Sequence, residues 1–259
     1  MSIVLNERDD AKKIIETKDL GKNTYESLRR VARYYIDQET EPFKKQDIRD
    51  KIDKFYLECE PNGSIPKKEK LLDNAVKYAL KHEAIIIDGL EITEPEMKRI
   101  DALGKRQLQR LAFTLLVLSK YWVAVRPELN GWVSNNDSEI MSLANINTSI
   151  ARQCAMYAEL KDAGMIVFSK KIDSTNVRVC FDEPGEVVAR VTDMRNIGWQ
   201  YHMYHDEPFF VCTRCGITTK YSDPVHGRKQ KYCKKCAAEV RMQQNINSVM
   251  RYRQKHVAT

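Results

Sequence analysis

From Thr24 onward the apolar residues fall at helical spacing. Tyr25, Leu28, Ala32 and Tyr35 share one face, as do Ile48, Ile52, Phe55 and Cys59 in a segment that begins near Lys44. Leu72, Ala75, Val76, Ala79 and Leu80 make a third such stripe. Recurrence at three and four residues predicts amphipathic helices, separated by the turn-rich run PNGSIP. The stretch before them, residues 1–22, is polar and mixed, and predicts a short helix or arm. In AIIIDGLEIT the rhythm changes. Asp88-Gly89 between two β-prone runs predicts a tight hairpin. Thr93, Pro95 and Glu96 then match a capping box with proline in the first turn, so a helix is expected to start there.

The middle of the chain has an ordered succession of elements. A long apolar helix is expected from Arg106 to about Val125. Asn136 and Glu139 fit the cap and third position of a short helix. A turn at Asn147 leads into a longer helix, which Gly164 ends. The runs MIVFS and NVRVCF follow as two strands. Helix, helix, turn, helix, hairpin is the order of a winged helix-turn-helix. In the last of these helices Ile150, Cys154, Tyr157 and Leu160 are expected to face the core. Ser149, Arg152, Gln153 and Met156 are then expected on the solvent side. Arg and Gln there suit guanine and adenine edges, and Lys170 and Lys171 at the wing tip suit phosphate. The bland alternative is a protein-docking scaffold, since this fold serves both uses.

Charge sharpens the picture. The 259-residue chain has a formal net charge of +7, but it is unevenly placed. Residues 211–259 hold 11 Lys and Arg against 2 Asp and Glu, and the rest holds 32 against 34. A near-neutral body with a basic tail is a pattern of nucleic-acid or acidic-surface binding, or of a solubilising tail. The tail's candidate contacts are Arg228, Lys229, Lys231, Lys234, Lys235, Arg241, Arg251 and Arg253, with Tyr252 available to stack on an unpaired base.

Of seven cysteines, Cys59, Cys154 and Cys180 stand alone in apolar patterns and are expected as small core residues. The others form Cys212-x2-Cys215-x17-Cys233-x2-Cys236. Two residues between partners let both thiolates reach one ion, and two pairs close a tetrahedral shell, so one structural Zn2+ in a zinc ribbon is expected. Gly216 suits a tight knuckle and Tyr232 a strand entering a second one. A redox role would want a strand-to-helix junction within a βαβ unit, and no such pattern surrounds either pair. A closed shell has no catalytic position.

His202 and His205, beside Asp206 and Glu207, form a weak metal-binding pattern, and the surrounding aromatics fit packing better. No nucleotide-binding, hydrolase or metalloprotease motif is present, so no catalytic residue is assigned. The acidic start of the chain is unlike a secretory signal. Leu111–Val125 is about 15 residues long and contains Lys120, short for a bilayer span. No membrane association and a cytoplasmic location are expected.

The motifs LRRVARYYI, LQRLAFTLLVLSK, NGWV and CTRCG…KYCKKCA together resemble a group of uncharacterised proteins encoded by phages and integrated elements of Gram-positive bacteria. ELKDAGMIVF resembles the exit from the last helix common in bacterial winged-helix domains. The resemblance implies a winged-helix-like core, a C-terminal four-cysteine zinc ribbon and a part in mobile-element DNA transactions. The expected class is mainly α with small β elements: a helical unit with a terminal hairpin at 1–92, a winged helix-turn-helix at 93–205, and a zinc ribbon with a basic extension at 206–259. Two functions fit: nucleic-acid binding, DNA before RNA, in regulation or replication; or an inhibitor or adaptor that binds a host protein complex.

Overall fold

The computed structural model describes residues 3–170, 176–205, 207–222 and 230–257, with side chains to 254. The chain divides into two compact units, Met1–Gly89 and Leu90–Thr259. It is mainly helical, with small antiparallel two-stranded sheets.

The first unit is built from α1 (Glu7–Thr17), α2 (Thr24–Gln38), α3 (Lys45–Cys59) and α4 (Ile65–Lys81). Asn6 caps α1 by accepting from the Asp9 amide at 3.0 Å, beside Glu7, Asp9 and Asp10 in a first turn that favours negative charge. The stripes meet in one core of Leu28, Val31, Ile48, Ile52, Leu72 and Val76. Leu80, expected on the buried stripe, lies largely exposed. It sits in the last turn of α4, at the margin of that core. A buried ionic cluster ties α1 to α2. The Arg29 guanidinium meets Glu26 at 2.8 Å and Glu7 at 3.2 Å, and Arg30 meets Asp10 at 2.8 Å. Glu7 also accepts from the Ile85 amide at 3.1 Å, so every charge in the cluster has a partner, as burial demands.

The expected hairpin about Asp88-Gly89 does not form. Ile86 bridges to Asn6 within the first unit, and β1 (Leu90–Thr93) pairs antiparallel with β4 (Val187–Val191), Leu90 opposite Val191. The two β-prone runs each find a partner distant in sequence, and a bare two-stranded hairpin is only marginally stable in water.

The second unit is organised around α6 (Arg106–Val125). By length and apolarity α6 could cross a membrane, but two thirds of its apolar stretch is buried inside the protein. It is a core helix, and burial rather than shortness argues for this. Before it come β1 and α5 (Glu94–Asp101), whose start carries the expected capping box. After it come α7 (Asp137–Leu143), capped by Asn136, and α8 (Ile150–Asp162), capped by Ser149. Gly164 ends α8 with φ of +68°, a region where a Cβ is disfavoured. β2 (Ile166–Phe168) pairs with β3 (Val177–Val179), and Trp132 bridges to Arg178 on the other edge of β3. Lys171 lies outside the described residues.

After β4, α9 (Ile197–Met203) packs on α6, with Tyr201 and Tyr204 against Phe113 at 5.6 and 6.1 Å between ring centres. Gly198 makes this possible where α9 meets the end of α7: a Cβ there would stand 2.1 Å from the Ala144 carbonyl oxygen. The hairpin of β5 (Phe209–Val211) and β6 (Thr218–Lys220) and the 24-residue α10 (Lys234–Val257) complete the unit.

Candidate metal centre and basic surfaces

The tight turn after β5 brings the first cysteine pair together. Gly216 donates to the Cys212 carbonyl at 2.9 Å and Cys212 donates to the Ile217 carbonyl at 3.0 Å. Gly216 takes φ of +74°, which glycine adopts without steric cost. The second pair is not on a second knuckle, as a ribbon would have it. Cys233 immediately precedes α10, its carbonyl accepting from Ala237 at 2.9 Å, and Cys236 lies in the first turn. Sequence spacing is the same for both arrangements, and here the helix-forming run after Cys233 decides. A helix N-terminus also favours thiolates through its unpaired N–H groups.

The four sulfur atoms lie within 4.8 Å of one another, with Cys215 and Cys233 at 3.8 Å. Cys212 and Cys236 are buried and Cys215 and Cys233 half-buried. Burial and the neighbouring sulfurs push Cys236 up to about 12 and raise Cys215. Burial would raise Cys212 too, but backbone N–H groups of Cys233, Cys215 and Arg214 outweigh it and hold that thiol at about 6. Such a cluster can hold a metal ion, and it is the one such group of His, Cys, Asp and Glu side chains among the described residues. His202 and His205 do not converge. His202 Nδ1 is 3.0 Å from Glu207 and His205 Nε2 is 3.1 Å from Asp101. Burial lowers the pKa of His202, and Glu207 opposes that fall.

The candidate contacts on α8 are differently placed from expectation. Met156 is buried, while Ile150 is 77% exposed and Cys154 is exposed. Tyr157 and Leu160 belong to both possible stripes, and the core selects the one that buries the long Met156. Ser149 is spent as the cap, accepting from the Arg152 amide at 3.4 Å. Arg152 is half-buried and pairs with Glu159 at 3.2 Å, and Gln153 donates to the Thr148 carbonyl at 3.1 Å. The solvent face of α8 therefore shows Ile150, Ala151, Cys154 and Ala158 rather than base-reading groups. Cys180 is also exposed rather than in the core.

Lys170 is exposed, and so are Lys231, Lys234, Lys235, Arg241, Arg251 and Arg253. Arg228 and Lys229 lie outside the described residues. From Arg241 to Gln254 every side chain on α10 is exposed. Missed in the sequence were Arg106 and Arg110, which meet Lys220 and Trp199 around a cavity. Their signal was a pair of arginines one turn apart opening an otherwise apolar helix. No family model, no curated protein and no solved structure matches the chain.

Proposed function

We propose that the protein binds nucleic acid, duplex DNA before RNA, through a basic helix anchored by a structural zinc centre. The observation that carries this is α10. Lys234, Lys235, Arg241, Arg251 and Arg253 are all exposed on a helix whose base holds two of the four cysteines. At about 1.5 Å per residue, Lys234 to Arg253 covers about 28 Å, comparable to about eight base pairs of duplex. Zinc suits the site. With Zn–S bonds of about 2.3 Å, a tetrahedron has S–S edges of about 3.8 Å, the Cys215–Cys233 separation. Four thiolates complete the shell, so the ion's part is to hold the β5–β6 hairpin against the start of α10.

The order α6, α7, α8, β2, β3, with Trp132 adding a third edge to the hairpin, supports a winged helix-turn-helix reading of the middle segment. Lys170 beside the β2–β3 connection is its phosphate contact. A regulatory or replication role in a mobile element rests on the sequence resemblance. A second reading, a protein-binding inhibitor or adaptor, is favoured by the apolar solvent face of α8 and the nearby exposed Val167 and Phe168.

The test is a full-length variant with Lys234, Lys235, Arg241, Arg251 and Arg253 all changed to Gln, measured by fluorescence anisotropy on random-sequence duplex. Loss of at least three phosphate contacts lowers low-salt affinity by about 100-fold or more. Unchanged affinity rejects α10 as the grip. Arg152→Ala, whose side chain is tied to Glu159, should leave sequence preference as it is. A shift in preference would restore α8 as a reading helix.

A further inference from the structure

The start of α6, the aromatic side of α9 and the β5–β6 hairpin enclose a cavity of about 360 Å3. Its charged lining is unbalanced. Arg106 and Arg110 stand one turn apart, Lys220 lies on β6, and Glu207 is the one carboxylate among the described lining residues. Glu207 is already engaged, by Arg106 at 3.3 Å and by His202 at 3.0 Å. Among the described residues no carboxylate pairs with Arg110, and its buried Nε has no hydrogen-bond partner. Burial and Arg106 act against its charge, and Glu207 only partly offsets them. A half-buried guanidinium with an orphaned Nε and no carboxylate partner is costly, and a bound ligand beside it is one explanation of such a group.

Two further features give the sign and shape of that ligand. The first turn of α6 has no acidic residue, and its cap, Lys105, makes no side-chain capping bond. The helix's positive end thus adds to the arginines. Trp199 supplies an aromatic wall, braced by Phe209 at 5.8 Å between ring centres. Cations that favour a doubly charged anion beside a flat apolar surface match a phosphoryl group carried on a sugar and base. The space is far too small for a duplex.

We propose that this cavity is a phosphate-binding pocket for a single nucleotide, free or at the end of a strand. Arg110 and Arg106 hold the phosphoryl oxygens, Lys220 stands at the rim, and Trp199 meets the attached nucleoside. The pocket is separate from the duplex grip of α10 and does not depend on it.

The full-length protein is titrated by calorimetry with inorganic phosphate, AMP, and a short single strand carrying either a 5′-phosphate or a 5′-hydroxyl. Saturable binding of AMP or of the phosphorylated strand is expected, with the hydroxyl strand at least about tenfold weaker. AMP binding as tight as the phosphorylated strand assigns a free nucleotide, and a strong preference for the strand assigns a chain end. Arg110→Gln should abolish binding yet leave the thermal midpoint equal or higher, because it removes a desolvated charge. A merely structural arginine would lower the midpoint. Trp199→Phe should weaken AMP more than inorganic phosphate. The variant with α10 neutralised should keep AMP binding, which separates this pocket from the duplex grip. No saturable uptake of any phosphate ligand, or parental binding by Arg110→Gln, overturns the proposal.

Discussion

Replacing Glu96 by Ala removes a fully buried carboxylate that joins β1, α5, α6 and the segment before β4. One oxygen accepts from the Thr93 amide at 2.8 Å. The other accepts from the Glu183 amide at 3.1 Å and meets Lys120 Nζ at 2.8 Å. Burial raises the carboxyl's pKa, while Lys120 and Thr93 oppose that rise. In the variant Lys120 keeps Asp182 at 3.2 Å, but two backbone N–H groups lose their acceptor. Each orphaned group costs about 1–3 kcal/mol, so the loss is about 4 kcal/mol, within the range for breaking a buried pair. With a urea slope of about 2.5 kcal/mol/M, the midpoint falls by about 1.5 M. Trp122, Trp132 and Trp199 all lie in the second unit, so their fluorescence follows it directly. Glu94→Ala is the control. Its exposed pair with Lys98 at 2.9 Å is worth under about 0.5 kcal/mol. A midpoint shift below about 0.5 M for Glu96→Ala would refute the argument that this carboxylate holds the unit together.

Gly198→Ala forces a Cβ into the Ala144 carbonyl. It should cost at least about 2 kcal/mol and lower the thermal midpoint by about 5 °C or more; an unchanged melt would mean α9 sits further from α7. Elemental analysis of the purified chain should find one zinc per molecule, and Cys212→Ser or Cys236→Ser should lose it. Because the ligands bind as thiolates, protons compete for them, and zinc should be released progressively as pH falls; a chromogenic chelator reads that release. Asp73, hydrogen-bonded by Lys45 and Lys77, has its carboxyl lowered from 3.8 to about 2. Its stabilising contribution is therefore fully present above its unfolded value and lost as pH falls from about 4 towards about 2. An NMR carboxyl titration with an ordinary midpoint would contradict those pairs.

What the sequence made legible was mostly local. Asn136 caps a helix and Gly164 ends one, each through contacts a few residues long, and the spacing of the cysteines marks the four sulfurs that come together. Pairings distant along the chain left weaker traces. Nothing in LEIT marks VVARV, nearly a hundred residues on, as its partner, so Asp88-Gly89 looked like a hairpin turn. The phase of α8 was ambiguous because Tyr157 and Leu160 fit two stripes, and the packing of Met156 chose between them. The Cys-x-x-Cys spacing is equally good on a knuckle and at a helix start, so it gave the ligands without the local fold. Nothing local marks Arg110 as enclosed, because only the approach of α9 and β5–β6 encloses it.

The proposed zinc-anchored basic helix grips phosphates. The most direct measurement is the affinity of the zinc-loaded full-length protein for random-sequence duplex across a salt series. Log affinity should fall linearly with log salt, with a slope of about −3 or steeper. In the α10 variant with its five Lys and Arg changed to Gln, the slope should be shallower by about 3. No binding at low salt, or the same slope in both proteins, would rule out α10 as the phosphate grip and favour a protein partner on the apolar face of α8.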